Sequence, residues 1–172
     1  MKKIGIRLSI AIICLFIPII FVQFDSKAYS PTYINSEYVD YCQEIGYGYD
    51  IDYWLLVALI EHESSGRPDV LDYVTGTHIG LMQLSISQFG GDGINLTDPY
   101  TNIMLGTRYL ASLNDKVDNI GIALMQYHGE SDALTKPLSG YAKGIINRAE
   151  ELKMCNIDRN VKKINSITKR RF

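Results

Sequence analysis

The sequence predicts a mainly helical, all-α single domain, and three observations carry that expectation. Apolar residues recur at helical spacing through most of the chain. No convincing polar–apolar alternation marks a strand. The helical segments also begin and end at recognisable caps and breakers, best seen at Asp98-Pro99, with an acid at the cap and proline in the first turn.

The elements follow in order. Residues 29–34 are polar and extended. A short helix begins near Ser36 and carries Tyr38, Tyr41 and Cys42, with Gly46 and Gly48 as its expected stop. Asp50 or Asp52 caps the next helix, from 53 to about 64. Residues 54–60 make it apolar on nearly every side, which places it in the middle of a domain. Gly66 and Pro68 break it. Residues 67–79 have no period and read as a long loop with a turn at Thr75-Gly76 and at most a small β-hairpin. A loop of that length in a compact domain is usually functional. A short helix is expected over 82–89, stopped by Gly90, Gly91 and Gly93. The helix from Asp98 should run to about Leu113, and Asp118 should start the next, with Ile120, Ala123 and Leu124 inside it. Ser139 caps a last helix with Ala142, Ile145, Ala149 and Leu152 on one buried face.

Outside the domain, residues 1–28 read as a signal peptide or an uncleaved anchor. Lys2, Lys3 and Arg7 precede an apolar run over 8–24, and Ser26-Lys27-Ala28 offers a cleavage site. The run is near the lower limit for spanning a bilayer, roughly 17 residues. Either reading exports the domain to the extracellular, cell-wall or periplasmic side. Cys14 lies within the run, behind Ile13, which does not fit a lipoprotein signal. Residues 29–158 suffice for one core. Cys42 and Cys155 are either a disulfide joining the domain's two ends or two partly buried thiols.

Charge divides the chain. Residues 29–158 hold 7 basic against 18 acidic residues, whereas 159–172 hold six basic residues and no acid. This basic tail reads as a solvated, disordered end or as an arm that holds anionic wall polymer or a membrane surface. No nucleic-acid partner is expected.

Two carboxylates, Glu61 and Glu63, end the most apolar helix. Glu63 continues a stripe through Leu56, Leu59 and Ile60; Glu61 continues one through Trp54, Val57 and Ala58. Helical spacing leaves both open. A carboxyl group on an apolar floor is held neutral by desolvation, as a general acid requires. No metal or cofactor is expected. His62, His78 and His128 are scattered, and Glu61-His62-Glu63 point about 100° apart. There is no nucleophile elbow and no phosphate-cradling glycine loop.

Five segments carry a resemblance: ALIEHESSGRP at 58–68, GLMQLS at 80–85, NIMLGTRYL at 102–110, ALMQYHG at 123–129 and GYAKGIINR at 140–148. In order and rough spacing they resemble the soluble lytic transglycosylase domain of the lysozyme-like fold, over about residues 50–152. The resemblance implies that Glu63, directly before Ser64, is the catalytic acid, with Ser64 supporting it from the helix end. It implies that Met82 and Gln83 line a sugar-binding groove, that Tyr127 faces the acid, and that Tyr141 lies near the same cleft. Asn102, Gly106 and Tyr109 match positions read as helix packing. One departure stands out: the family usually has Asn after the first tyrosine, where this chain has His128, followed at once by Gly129. His128 is thereby a candidate contact at an altered cleft edge.

The implied reaction cleaves the β-1,4 bond between N-acetylmuramic acid and N-acetylglucosamine in peptidoglycan and leaves 1,6-anhydro ends. Its rivals are a goose-type lysozyme-like hydrolase, a non-catalytic peptidoglycan-binding module, and a part in a secretion or conjugation apparatus. An inverting hydrolase needs a base carboxylate roughly 6.5–9.5 Å from the acid, for which Asp69 and Asp72 are the candidates.

Overall fold

A computed structural model describes residues 30–169, with side chains to 167. The expectations for residues 1–28, including Cys14, lie outside the described residues, as does the end of the basic tail.

Among the described residues, six helices and a two-stranded hairpin make up the fold. Helix α1 is Ser36–Tyr49, α2 is Tyr53–Ser64, α3 is Ile86–Phe89, α4 is Pro99–Val117, α5 is Ile120–Tyr127 and α6 is Gly140–Lys169. Strands β1, His78–Ile79, and β2, Leu84–Ser85, pair antiparallel with Ile79 opposite Leu84. The long helices close a cycle of neighbours: α1 packs on α2, α2 on α6, α6 on α5, α5 on α4, and α4 back on α1.

Helix α2 lies at the centre because its sequence allows nothing else. Residues 55–60 are all buried, and Leu56, Val57, Leu59 and Ile60 have no exposed surface. A chain segment apolar all round minimises water contact only when enclosed. Truncating Leu59 to alanine would cost roughly 2–5 kcal/mol through lost burial and the cavity left behind. Asp52 starts the helix by accepting from the Trp54 N–H at 3.0 Å. Ser65, in left-handed conformation, ends it at the expected place.

Several boundaries differ from the sequence expectation. Helix α1 runs past Gly46 and Gly48 to Tyr49, with Asp50 as its cap. Gly46 is needed there for close approach, since a Cβ would meet the Ile51 carbonyl oxygen at 2.6 Å. Asp118 caps the end of α4, and Asn119 starts α5 by accepting from the Ile122 N–H. The hairpin is real but straddles 78–85 rather than lying within 67–79, and only Leu71 within that loop bridges to Ile79. The expected helix over 82–89 shrinks to α3, because Gly80 and Gln83 both have positive φ and fold residues 80–83 into the hairpin turn. Helix α6 continues well beyond Leu152, its last fully buried residue. Cys42 and Cys155 are both free thiols.

Candidate active site

The two glutamates at the end of α2 enter different surroundings. Glu61 is buried and fully engaged: Arg148 Nε donates to Oε2 at 2.7 Å, and the Thr32 hydroxyl donates to Oε1 at 2.6 Å. The hydrogen bond to Glu61 raises the Arg148 guanidinium pKa further. Arg148 also donates to the carbonyls of Ser30 and Pro31, so this pair ties the start of the domain to α2 and α6. A concavity of about 370 Å³ lies on this side, lined in part by Tyr33, Glu61 and Arg148.

Glu63 opens the other way. It lines a cleft of about 340 Å³ together with Asp72, His78, Gln83, Tyr127 and His128. Oε1 accepts from the Tyr141 hydroxyl at 2.5 Å. Among the described residues, Oε2 has no hydrogen-bond partner. Burial first, then the Glu63 charge, push the Tyr141 phenol well above its ordinary pKa, so it remains a donor at any physiological pH. The same causes act on Tyr127, whose hydroxyl donates to the Met82 carbonyl at 2.8 Å.

The opposite wall is the hairpin turn 80–83. Asn102 builds it: Oδ1 accepts from the Met82 N–H at 2.8 Å, and Nδ2 donates to the carbonyls of Leu96 at 2.8 Å and Ile79 at 3.2 Å. Gly80 must be glycine, since a Cβ would lie 2.2 Å from Asn102 Nδ2. Gln83 adopts a left-handed φ of 46°, a strained conformation for a residue with a side chain. Its amide offsets that strain by donating to the carbonyls of Val70 at 2.9 Å and Gly80 at 3.0 Å.

His128 sits on the cleft rim. Its ring stacks on Tyr141 with centroids 4.1 Å apart and planes 16° apart, and Nδ1 lies 3.5 Å from Glu130. His62 meets Tyr141 edge-on at 4.9 Å. The tyrosine that holds Glu63 is thus packed between two imidazoles from α2 and the end of α5.

The cleft therefore brings together Glu63, Gln83, Tyr127, His128 and, through its hydrogen bond, Tyr141. Met82, expected to line the groove, does not line the cleft, and neither does Ser64, expected to support the acid from the helix end. Ser64 is buried; its hydroxyl donates to the Ile60 carbonyl at 3.1 Å and accepts from the Gly66 N–H, completing the helix end that aims Glu63. The Met82 side chain is fully buried against Gly106, where a Cβ would meet its sulfur at 2.6 Å. It supports the floor, and only its carbonyl, through Tyr127, reaches the site. Conversely, Asn102 was expected only to pack, yet it fixes the wall. His78 was not foreseen in the cleft, because nothing in its local sequence signals it. Of the two candidate second carboxylates, Asp72 lines the cleft, whereas Asp69 lines only a neighbouring concavity that Asp72 also borders. Asp72 accepts from the hydroxyl of Thr75 and from the N–H groups of Val74 and Thr75, which lower its pKa.

A mainly helical domain, with only a small two-stranded sheet among the described residues, has the lysozyme-like fold. The chain belongs to the transglycosylase SLT domain family, whose model matches residues 40–154. It is also 32% identical over 105 residues to a protein named transglycosylase from Enterobacteria phage PRD1. That match covers 58% of this chain and 39% of the phage protein, so the chain spans well under half the length of this relative.

Proposed function

We propose that this protein is a peptidoglycan lytic transglycosylase acting on the cell-wall side of the membrane, with Glu63 as its single acid and base. The carrying observation is the split between the two carboxylates: Glu61 is consumed by Arg148 and Thr32, while Glu63 faces the cleft and, among the described residues, only its Oε1 is hydrogen-bonded. Glu63 protonates the oxygen bridging N-acetylmuramic acid to N-acetylglucosamine as the glycosidic C–O bond breaks through an oxocarbenium-like state. The ionised Glu63 then takes the proton from the muramic acid 6-hydroxyl. That oxygen bonds to the anomeric carbon and closes the 1,6-anhydro ring. No water is consumed, and the proton given up is returned. Holding both reacting atoms in one sugar gains from proximity. Tyr141 reserves Oε1, so the proton travels by one oxygen throughout.

Asp72 supports a second reading, a hydrolase using it as base, because it lines the same cleft. Its hydrogen bonds to Thr75 and Val74 stabilise the anion and lower its basicity, which favours the first reading.

Mass analysis of fragments released from purified peptidoglycan separates these. Products ending in 1,6-anhydro-muramic acid, lighter by one water than reducing ends, are expected. Reducing ends, lost on Asp72→Asn, would establish the hydrolase. Binding without products would leave a non-catalytic wall-binding module.

A further inference from the structure

Beyond Leu152, helix α6 continues to Lys169, and no residue from 153 to 167 is fully buried. At 1.5 Å per residue that is on the order of 25 Å of helix beyond the core. Its surface is two-sided. Ile157, Val161 and Ile167 are 52%, 48% and 47% exposed, with Ile164 between them at 62%. At 100° per residue these four fall within an arc of about 120°. Asn160 also lies within that arc, Arg159 and Lys162 fall on the opposite side, Lys163 flanks the arc about 40° from Ile167, and 159–172 contains no acid. Residues 29–158 hold 7 basic against 18 acidic residues, so within the domain an excess of basic charge occurs in this projection.

We infer that this stretch of α6 lies on an anionic lipid surface. The pattern is that of an interfacial helix, with aliphatic residues on one face and basic residues on the other. A soluble anionic wall polymer would satisfy the charges but leave four aliphatic side chains in water. A second copy seated on the stripe would bring two sets of basic residues together, with Asp158 the one acid in each 157–169 segment to compensate. Only an anionic surface with an apolar interior meets both faces. This inference is independent of the chemistry proposed for Glu63. It would hold the cleft, whose Tyr141 opens the same helix, at a fixed distance from the membrane.

Hydrogen exchange resolved along the full chain tests it, since exchange over 157–169 is read separately from residues 1–29. Phosphatidylglycerol vesicles should protect 157–169, and phosphatidylcholine vesicles should protect it far less. Replacing Ile157, Val161 and Ile167 with Gln, which keeps helix propensity, should weaken vesicle binding by at least about tenfold. Lys162→Gln with Lys163→Gln should weaken it by roughly twentyfold. Cleavage of short soluble glycans should stay unchanged in both variants. No protection by phosphatidylglycerol overturns the inference. So does equal protection by soluble teichoic acid that survives the triple Gln change, which assigns the face to wall polymer. Protection without vesicles that grows with protein concentration assigns it to a second copy.

Discussion

The hydroxyl of Tyr141 donates to Oε1 of Glu63 across 2.5 Å, joining the first turn of α6 to the last turn of α2. This contact fixes the carboxyl group's orientation without consuming its second oxygen. Tyr141→Phe removes the donor and keeps the ring between His62 and His128. The expected result is a fall in kcat of about tenfold to a hundredfold with KM nearly unchanged. Steady-state cleavage of a soluble glycan, with circular dichroism to verify the fold, checks it.

The two glutamates should fail in opposite ways. Glu63→Gln keeps the shape and removes the transferable proton, so activity should drop by at least about a thousandfold at near-normal stability. Glu61→Gln leaves Arg148 facing a neutral amide on a partly exposed pair. Stability should fall by about 1–3 kcal/mol, while activity per folded molecule stays close to normal. Thermal melts and glycan cleavage measured on both variants separate the roles. A dead but stable Glu61→Gln protein would reverse the assignment.

Alkaline pH should loosen the fold. The pKa values of Tyr127 and Tyr141 are raised in the folded state, chiefly by burial. Their neutral form therefore favours the fold fully below the ordinary phenol value near 10. Above it the unfolded chain releases these protons and the folded chain keeps them, so stability declines with rising pH. Urea midpoints at about pH 9 and about pH 11 should differ in that direction, and by less in Tyr141→Phe.

Asn102→Ala should be costly for a residue outside the cleft. It leaves the Met82 N–H and the Leu96 and Ile79 carbonyls without their buried partner. A loss of about 2–4 kcal/mol is expected, together with a larger proportional loss of activity, because the turn carrying Gln83 is released. Urea unfolding followed alongside glycan cleavage reads both effects.

The two thiols should react at different rates. Burial pushes the Cys42 thiol up to about 12, whereas Cys155 is half-buried. Alkylation near pH 8 should label Cys155 within minutes and Cys42 only after denaturation, as peptide mass mapping would show.

Legibility in the sequence followed the range of the interactions. Helix α2 and the start of α4 were readable because Asp52, Asp98 and Pro99 act on adjacent backbone and the apolar run leaves α2 no exposed face. The hairpin was misplaced because its turn depends on Asn102, which lies 20 residues from Met82. Spacing could not choose between Glu61 and Glu63, since their partners Arg148 and Tyr141 lie 87 and 78 residues away. The length of α6 was missed for another reason. The buried stripe ends at Leu152, but no glycine or proline stops the helix before Lys169, and a second apolar stripe takes over at Ile157.

Asn102 grips both Met82, at the turn before β2, and Leu96, just ahead of α4. The chain between them is drawn together at its two ends by this side chain, much like the neck of a purse, and is tied again at Leu84 by pairing with Ile79 and at Phe89 by its ring against Tyr109. Beyond Phe89, residues 90–95 are exposed throughout. Lengthening such a closed excursion is entropically cheap, about 0.6 kcal/mol per doubling. This makes residues 90–95 the natural place to graft a foreign loop and extend the cleft's reach along a glycan strand, leaving Glu63 and its tyrosine clasp untouched.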